Sequence, residues 1–133
     1  MSIREQEIRE KGFSLTFKEI LLLLQSVGAE RINGIEMEQE PVTDEEVVLI
    51  MDNMVRKGIL HADGDVFSME ETVGRMIRCM GWPEKDYRAP VDGEDAYCYE
   101  RGEDLLVTRP SQTRERTLEM ELRRTPKKEE TII

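Results

Sequence analysis

The stretch VTDEEVVLIMDNMVRKGILHADGDVFSMEETVGRMIRCM, residues 42–80, reads as a capped helix, a tight hairpin and a second capped helix. Thr43 is placed to accept hydrogen bonds from the free N–H groups of a first helical turn, and Glu46, three residues on, to reach back and complete a capping box. Val42 and Val47 flank that cap as a hydrophobic staple. Over residues 44–57, Val47, Ile50, Met51, Met54 and Val55 fall on one face. Asp44, Glu45 and Glu46 crowd the first turn and Arg56 and Lys57 the last, as the helix dipole favours. Gly58 supplies a left-handed stop. Ile59–Leu60–His61 and Val66–Phe67 are short apolar pieces around Asp63–Gly64–Asp65, and Asp-Gly is a hairpin turn signal. Ser68 and Glu71 predict a further capping box, opening a helix that buries Met69, Val73, Met76, Ile77 and Met80 and ends at Gly81.

Upstream, Thr16 and Glu19 form the same box, with Leu15 and Ile20 as staple. Phe17, Ile20, Leu21, Leu24 and Val27 then recur at three- and four-residue steps, Leu22 and Leu23 widen the apolar face, and Gly28 ends the helix. Residues 1–12 are polar with isolated isoleucines at Ile3 and Ile8; a frayed helix, an edge strand and a disordered tail all stay open. Asn33–Gly34 predicts a turn. Ile35–Glu38 alternates as a short edge strand would, with outward acids that discourage edge-to-edge pairing.

Downstream, Gly81–Trp82–Pro83 and Arg88–Ala89–Pro90 bracket a connector that is not continuous helix. Trp82, the single tryptophan, is expected to plug the margin of the core. From Ala96 the apolar period changes to two. Ala96–Arg101, Leu105–Arg109 and Arg116–Thr125 read as a three-stranded antiparallel meander with Leu118, Met120 and Leu122 on its dry side. The helices are the available cover for that side. The expected fold is therefore α+β: helices, including a winged-helix-like helix–hairpin–helix unit, packed on a C-terminal antiparallel β-meander. Residues 1–12 form a polar N-terminal segment, 13–125 a single domain and 126–133 a charged C-terminal tail.

Composition narrows the function classes. Apolar residues make up 38% and charged residues 36% of the 133, which fits one globular domain with a heavily charged surface. No apolar run is long enough for a membrane span or a signal peptide, so a cytoplasmic protein without membrane contact is expected. Cys79 and Cys98 are too few and too far apart for a metal site and read as reduced structural thiols. The lone His61, at the base of the hairpin, reads as an ordinary surface or turn residue. Asp63–Gly64–Asp65 with Glu70 and Glu71 lacks the spacing of a calcium loop. No nucleophile elbow, zinc-protease motif or phosphate loop occurs. The sequence therefore predicts no enzyme activity and offers no catalytic, cofactor-binding or metal-binding residue; a partner-binding surface is not assignable from it.

The helix–hairpin–helix order resembles the recognition helix and wing of a winged helix. Net charge is −10, from 29 acidic and 19 basic residues. A winged-helix reader would aim Asp44, Glu45, Glu46, Asp63 and Asp65 at the phosphate backbone, with no basic residue there to offset them. The cations gather instead at Arg109, Arg114, Arg116, Arg123, Arg124, Lys127 and Lys128, interrupted by Glu115, Glu119, Glu121, Glu129 and Glu130. That pattern reads as a solvated mixed-charge face. Nucleic acid is not an expected partner, and a winged-helix-like regulator or adaptor acting through protein contacts is the alternative reading.

Leu15-Thr16-x-x-Glu19-Ile20-x-x-Leu23-Leu24, Val55-Arg56-Lys57-Gly58-Ile59-Leu60, the helix at Ser68–Met80 and the Gly-centred turn in Tyr99–Val107 occur in an order that resembles one half of the EspG-type chaperones of ESX (type VII) secretion. The similarity covers about residues 13–125. It implies helices packed on a central antiparallel sheet and a non-enzymatic role in holding helical secretion substrates soluble. Family members carry two pseudo-symmetric halves and this chain has one, which implies a homodimer that rebuilds the double form.

Overall fold

The computed structural model describes residues 9–29, 32–35 and 42–124. In chain order the elements are β1 (Arg9–Thr16), α1 (Phe17–Ser26), α2 (Asp44–Arg56), β2 (Leu60–Asp63), β3 (Val66–Met69), α3 (Glu71–Gly81), β4 (Lys85–Val91), β5 (Glu94–Arg101), β6 (Asp104–Pro110) and β7 (Thr117–Arg124). The α+β class and the packing of helices on an antiparallel meander match the expectation. The sheet, however, has five strands in the order β1-β7-β6-β5-β4, and β2-β3 stands apart as a separate hairpin.

Two strands beyond the expected three close the sheet. β4 occupies the segment read as a connector, and it lies at the sheet edge, where Pro90 opposite Asp95 costs no interior ladder bond. Its hairpin to β5 turns at Asp92 and Gly93, with φ of 53° and 81°, the pair of positive values a two-residue type I′ turn requires. At the other edge β1 pairs with β7 (Phe13 with Met120, Leu15 with Leu118), so positions 9–12 belong to an edge strand. Residues 1–8, the acidic strand expected at 36–38 and the charged tail at 126–133 lie outside the described residues.

The core fills the space between the helices and one sheet face. Leu118, Met120 and Leu122 of β7, Leu106 of β6 and Tyr99 of β5 meet Ile20, Leu23 and Leu24 of α1, Met54 of α2 and Val73, Met76, Ile77 and Met80 of α3. The opposite sheet face is not simply wet. Ala96, Cys98 and Val107 are buried there with Tyr87, Val91 and Leu105 around them, and no helix residue joins that cluster. Arg109, which donates to the Val91 carbonyl, and Arg123, which pairs with Asp92 and Glu121, both lie near enough to Cys98 to act on its thiol.

The helix starts differ in how they are capped. At α1 the Thr16–Glu19 box is complete in both directions. At α2, Thr43 accepts from the Glu46 N–H, but the Glu46 carboxylate turns to Lys18. Ser68 does not cap α3. It pairs with His61 inside the β2–β3 hairpin, and the Glu70 side chain takes the cap by accepting from the Val73 N–H. Trp82, at the C-terminus of α3, stands 42% exposed rather than plugging the core margin.

Candidate protein-binding face

Thr16 and Thr43 fix where α1 and α2 begin, and polar side chains then lock the two helices together. On α2, Glu46, Ile50, Asn53 and Lys57 follow one another at helical steps and form a stripe facing the first turn of α1. Lys18 Nζ lies 3.0 Å from Glu46 Oε2, and this bond, ahead of the Thr43 backbone contact, lowers the Glu46 pKa below the usual carboxylate value. Lys57 Nζ reaches both oxygens of the buried Glu19, at 2.8 and 3.1 Å, and Asn53 Nδ2 adds a contact of 3.3 Å. With the Thr16 N–H at 2.9 Å, each Glu19 oxygen accepts two donors, so this buried carboxylate is fully satisfied.

That clasp fixes the orientation of the rest of α2. Met51 and Met54, three residues apart, turn toward the C-terminal half of α1 and the hairpin. In the hairpin, Leu60 pairs with Met69 and Ala62 with Phe67, so these four share one face. Between α1, α2 and that face lies a groove of ≈580 Å³, lined by Leu22, Leu23, Met51, Met54, Phe67 and Met69 among others. A smaller hollow of ≈340 Å³ opens on the other flank of α2, where Leu49 and Ile50 face Phe17 and the Glu19 clasp.

The outer side of α2 forms an apolar ridge open to solvent. Val48 is 67% and Leu49 68% exposed, and on the hairpin Phe67, in the groove wall, is 45% exposed, while Val66, 67% exposed, lies on the opposite hairpin face. Among the described residues only one other large hydrophobic side chain, Trp82, is exposed, and it lies elsewhere. Single exposed apolar residues are ordinary; an apolar groove with a half-exposed phenylalanine in its wall marks an interaction surface.

A third hollow of ≈350 Å³, on the outer sheet face, is lined by Arg109, Glu119, Glu121, Arg123 and Asp92. Its charges are engaged with one another: Ser14 donates to Glu119, Arg123 pairs with Glu121 and Asp92, and Arg109 Nε lies 3.6 Å from Glu94. His61 is exposed on the hairpin. Among the described residues no three His, Cys, Asp or Glu side chains are grouped as metal ligands. Both cysteines are free and buried; desolvation raises both thiols, Cys79 to about 12. No described helix is long and apolar enough to cross a membrane.

The sequence left the partner-binding surface unassigned, although it held a signal for it. Val48 and Leu49 are apolar residues off the core-facing stripe of their own helix. No protein-family model matches the chain, and a comparison with curated proteins found no match.

Proposed function

We propose that this is a non-enzymatic interaction protein whose α1–α2–hairpin groove receives the apolar face of a helical segment from another protein. The observation that carries the reading is the apolar groove lined by Met51, Met54, Met69 and the half-exposed Phe67, with further exposed apolar surface at Val48 and Leu49 on the same helix. A groove between two helices with methionines in its floor suits an amphipathic helix, whose anchors recur every three to four residues; methionine adapts to side chains of different shape. Because the exposed apolar ridge extends beyond the hollow itself, a macromolecule fits it better than a small ligand.

The resemblance to EspG-type chaperones of type VII secretion agrees with this role, since helical secretion substrates are what that family holds. On that finer reading the protein is a cytoplasmic substrate chaperone or adaptor, and a homodimer is part of the proposal. An isologous dimer through the α2 face would set like acids against each other, so the dimer would use another surface. Sedimentation of the free protein tests it, and a concentration-independent monomer would refute it. The alternative, a winged-helix-like adaptor, uses the same helix–hairpin unit for protein contact; tight, salt-resistant binding of duplex DNA would overturn both.

The groove is tested by fluorescence anisotropy with a labelled amphipathic helical peptide of leucine stripe and neutral polar face. Binding that weakens about tenfold or more in Met51→Ser and Phe67→Ser variants supports the reading, as expected for central interface anchors. Binding unaffected by either substitution, or no binding, would sink it.

A further inference from the structure

The carboxylates of this protein are not spread evenly. Residues 43–71, which span α2 and the hairpin, hold eight acidic residues against two basic ones, while residues 85–124 hold ten against eight. The cations near the groove are already committed. Lys57 is held by Glu19, Lys18 by Glu46, and Arg56 lies 3.1 Å from Asp52 one helical turn away. Asp44, Glu45, Asp63 and Asp65 are exposed, and among the described residues none of them has an ion-pair partner.

Helical spacing puts these acids beside the apolar surface. Asp44 precedes Met51 by seven residues, so it lies on the side of α2 that forms one wall of the groove. Asp65 sits at the turn of the hairpin whose Phe67 forms the opposite wall. An apolar seat fringed by unpaired carboxylates is complementary to an apolar stripe fringed by cations.

Resting on the groove reading above, we infer that the occupant is a cationic amphipathic helix, with Lys or Arg flanking its apolar stripe. The leucine-type anchors fill the groove over Met51 and Phe67, and the cations meet Asp44 and Asp65 at its rim. A second copy of this chain is a poor occupant, because its own α2–hairpin face carries the same acids. Rim charges of this kind set partner choice and encounter rate more than they add raw affinity.

The test uses three labelled peptides of about 18 residues, five helical turns, sharing one leucine stripe and carrying Lys, Gln or Glu on the polar face. The lysine peptide is expected to bind about tenfold tighter than the glutamine peptide at low salt, with the glutamate peptide weakest. That preference should shrink to about twofold near 0.5 M salt, where screening acts within a few ångströms. It should also fall in a D44N/D65N variant, and all binding should weaken in Phe67→Ser. Equal binding of the lysine and glutamine peptides, with both still sensitive to Phe67→Ser, overturns the cationic preference and leaves the groove. Lysine-peptide binding indifferent to Phe67→Ser and to D44N/D65N is general attraction to an acidic protein and also overturns it. Failure of the glutamine peptide to depend on Met51 and Phe67 removes the groove itself.

Discussion

Lys57, one residue beyond the end of α2, bridges both carboxylate oxygens of Glu19, the third residue of α1, at 2.8 and 3.1 Å. Glu19 is buried and Lys57 partly exposed, so the pair joins the start of one helix to the end of the next at the edge of the core. Removing the lysine leaves a buried carboxylate with only neutral donors. Lys57→Ala should therefore lower stability by about 2 kcal/mol, below the range for fully buried pairs because water reaches the amine. Urea denaturation reads this directly. Glu19→Ala should cost at least as much, since it also removes the α1 capping box, and the double variant should cost clearly less than the sum of the two.

Gly34 packs against the Tyr97 ring with φ of +81°, and a methyl group built on it would fall within that ring. The same loop is held where Asn33 accepts a hydrogen bond from Tyr99 at 2.6 Å through its carbonyl and donates to Asp86 at 3.2 Å through its amide. Gly34→Ala should then destabilise by about 2 kcal/mol or more, through both left-handed strain and steric overlap. Gly28→Ala, with open space around its Cβ, should cost only the strain term. Comparing the two by thermal unfolding isolates the contact with Tyr97.

Burial pushes the Cys79 thiol up from 9.0 to about 12 and raises Cys98 as well. A thiol whose pKa is higher in the folded state stabilises the fold below its unfolded value; that contribution is lost as pH climbs through the folded one. Tyr99, raised mainly by burial, and Tyr87, raised by burial and its bond to Glu100, act in the same direction at higher pH. Stability should accordingly fall above about pH 9, from which the unfolded thiols ionise first. In the folded state at pH 8 neither cysteine should react with an aromatic disulfide reagent on the timescale of minutes, and both should react at once in denaturant.

Leu49→Ser should leave stability within about 0.5 kcal/mol of the parent, as substitutions at exposed sites do. Leu23→Ser, at a buried position of the neighbouring helix, should lose several times that. The contrast, measured by equilibrium denaturation, separates apolar surface that the fold does not need from surface that serves the fold.

The local rules were legible in the chain and the long-range ones were not. Thr16 and Thr43 cap their helices because a cap involves four consecutive residues and little else. Ser68 fails for a reason outside its own neighbourhood: the Leu60–Met69 register draws it into the hairpin and leaves Glu70 to cap α3. β4 was hidden by Pro83, Pro90 and weak alternation, although Asp92–Gly93 is a type I′ signal that marks its hairpin with β5. The buried Cys98–Val107 cluster is invisible to periodicity because Tyr87 and Val91, which pack against it, lie on β4. For the candidate site, Val48 and Leu49 stood out as apolar residues on the wrong side of α2, but the groove beside them exists only once α1, α2 and the hairpin pack.

The central claim, that the α1–α2–hairpin groove seats a helical segment of another protein, is tested most directly by methyl NMR of the protein labelled at its methionines. Met51, Met54 and Met69 line the groove, whereas Met76, Met80 and Met120 are buried in the core beneath the sheet and α3. Titration with the leucine-stripe peptide should shift the first three resonances in a saturable way and leave the last three nearly still. Uniform shifts across all six, or shifts confined to methionines away from the groove, would contradict it.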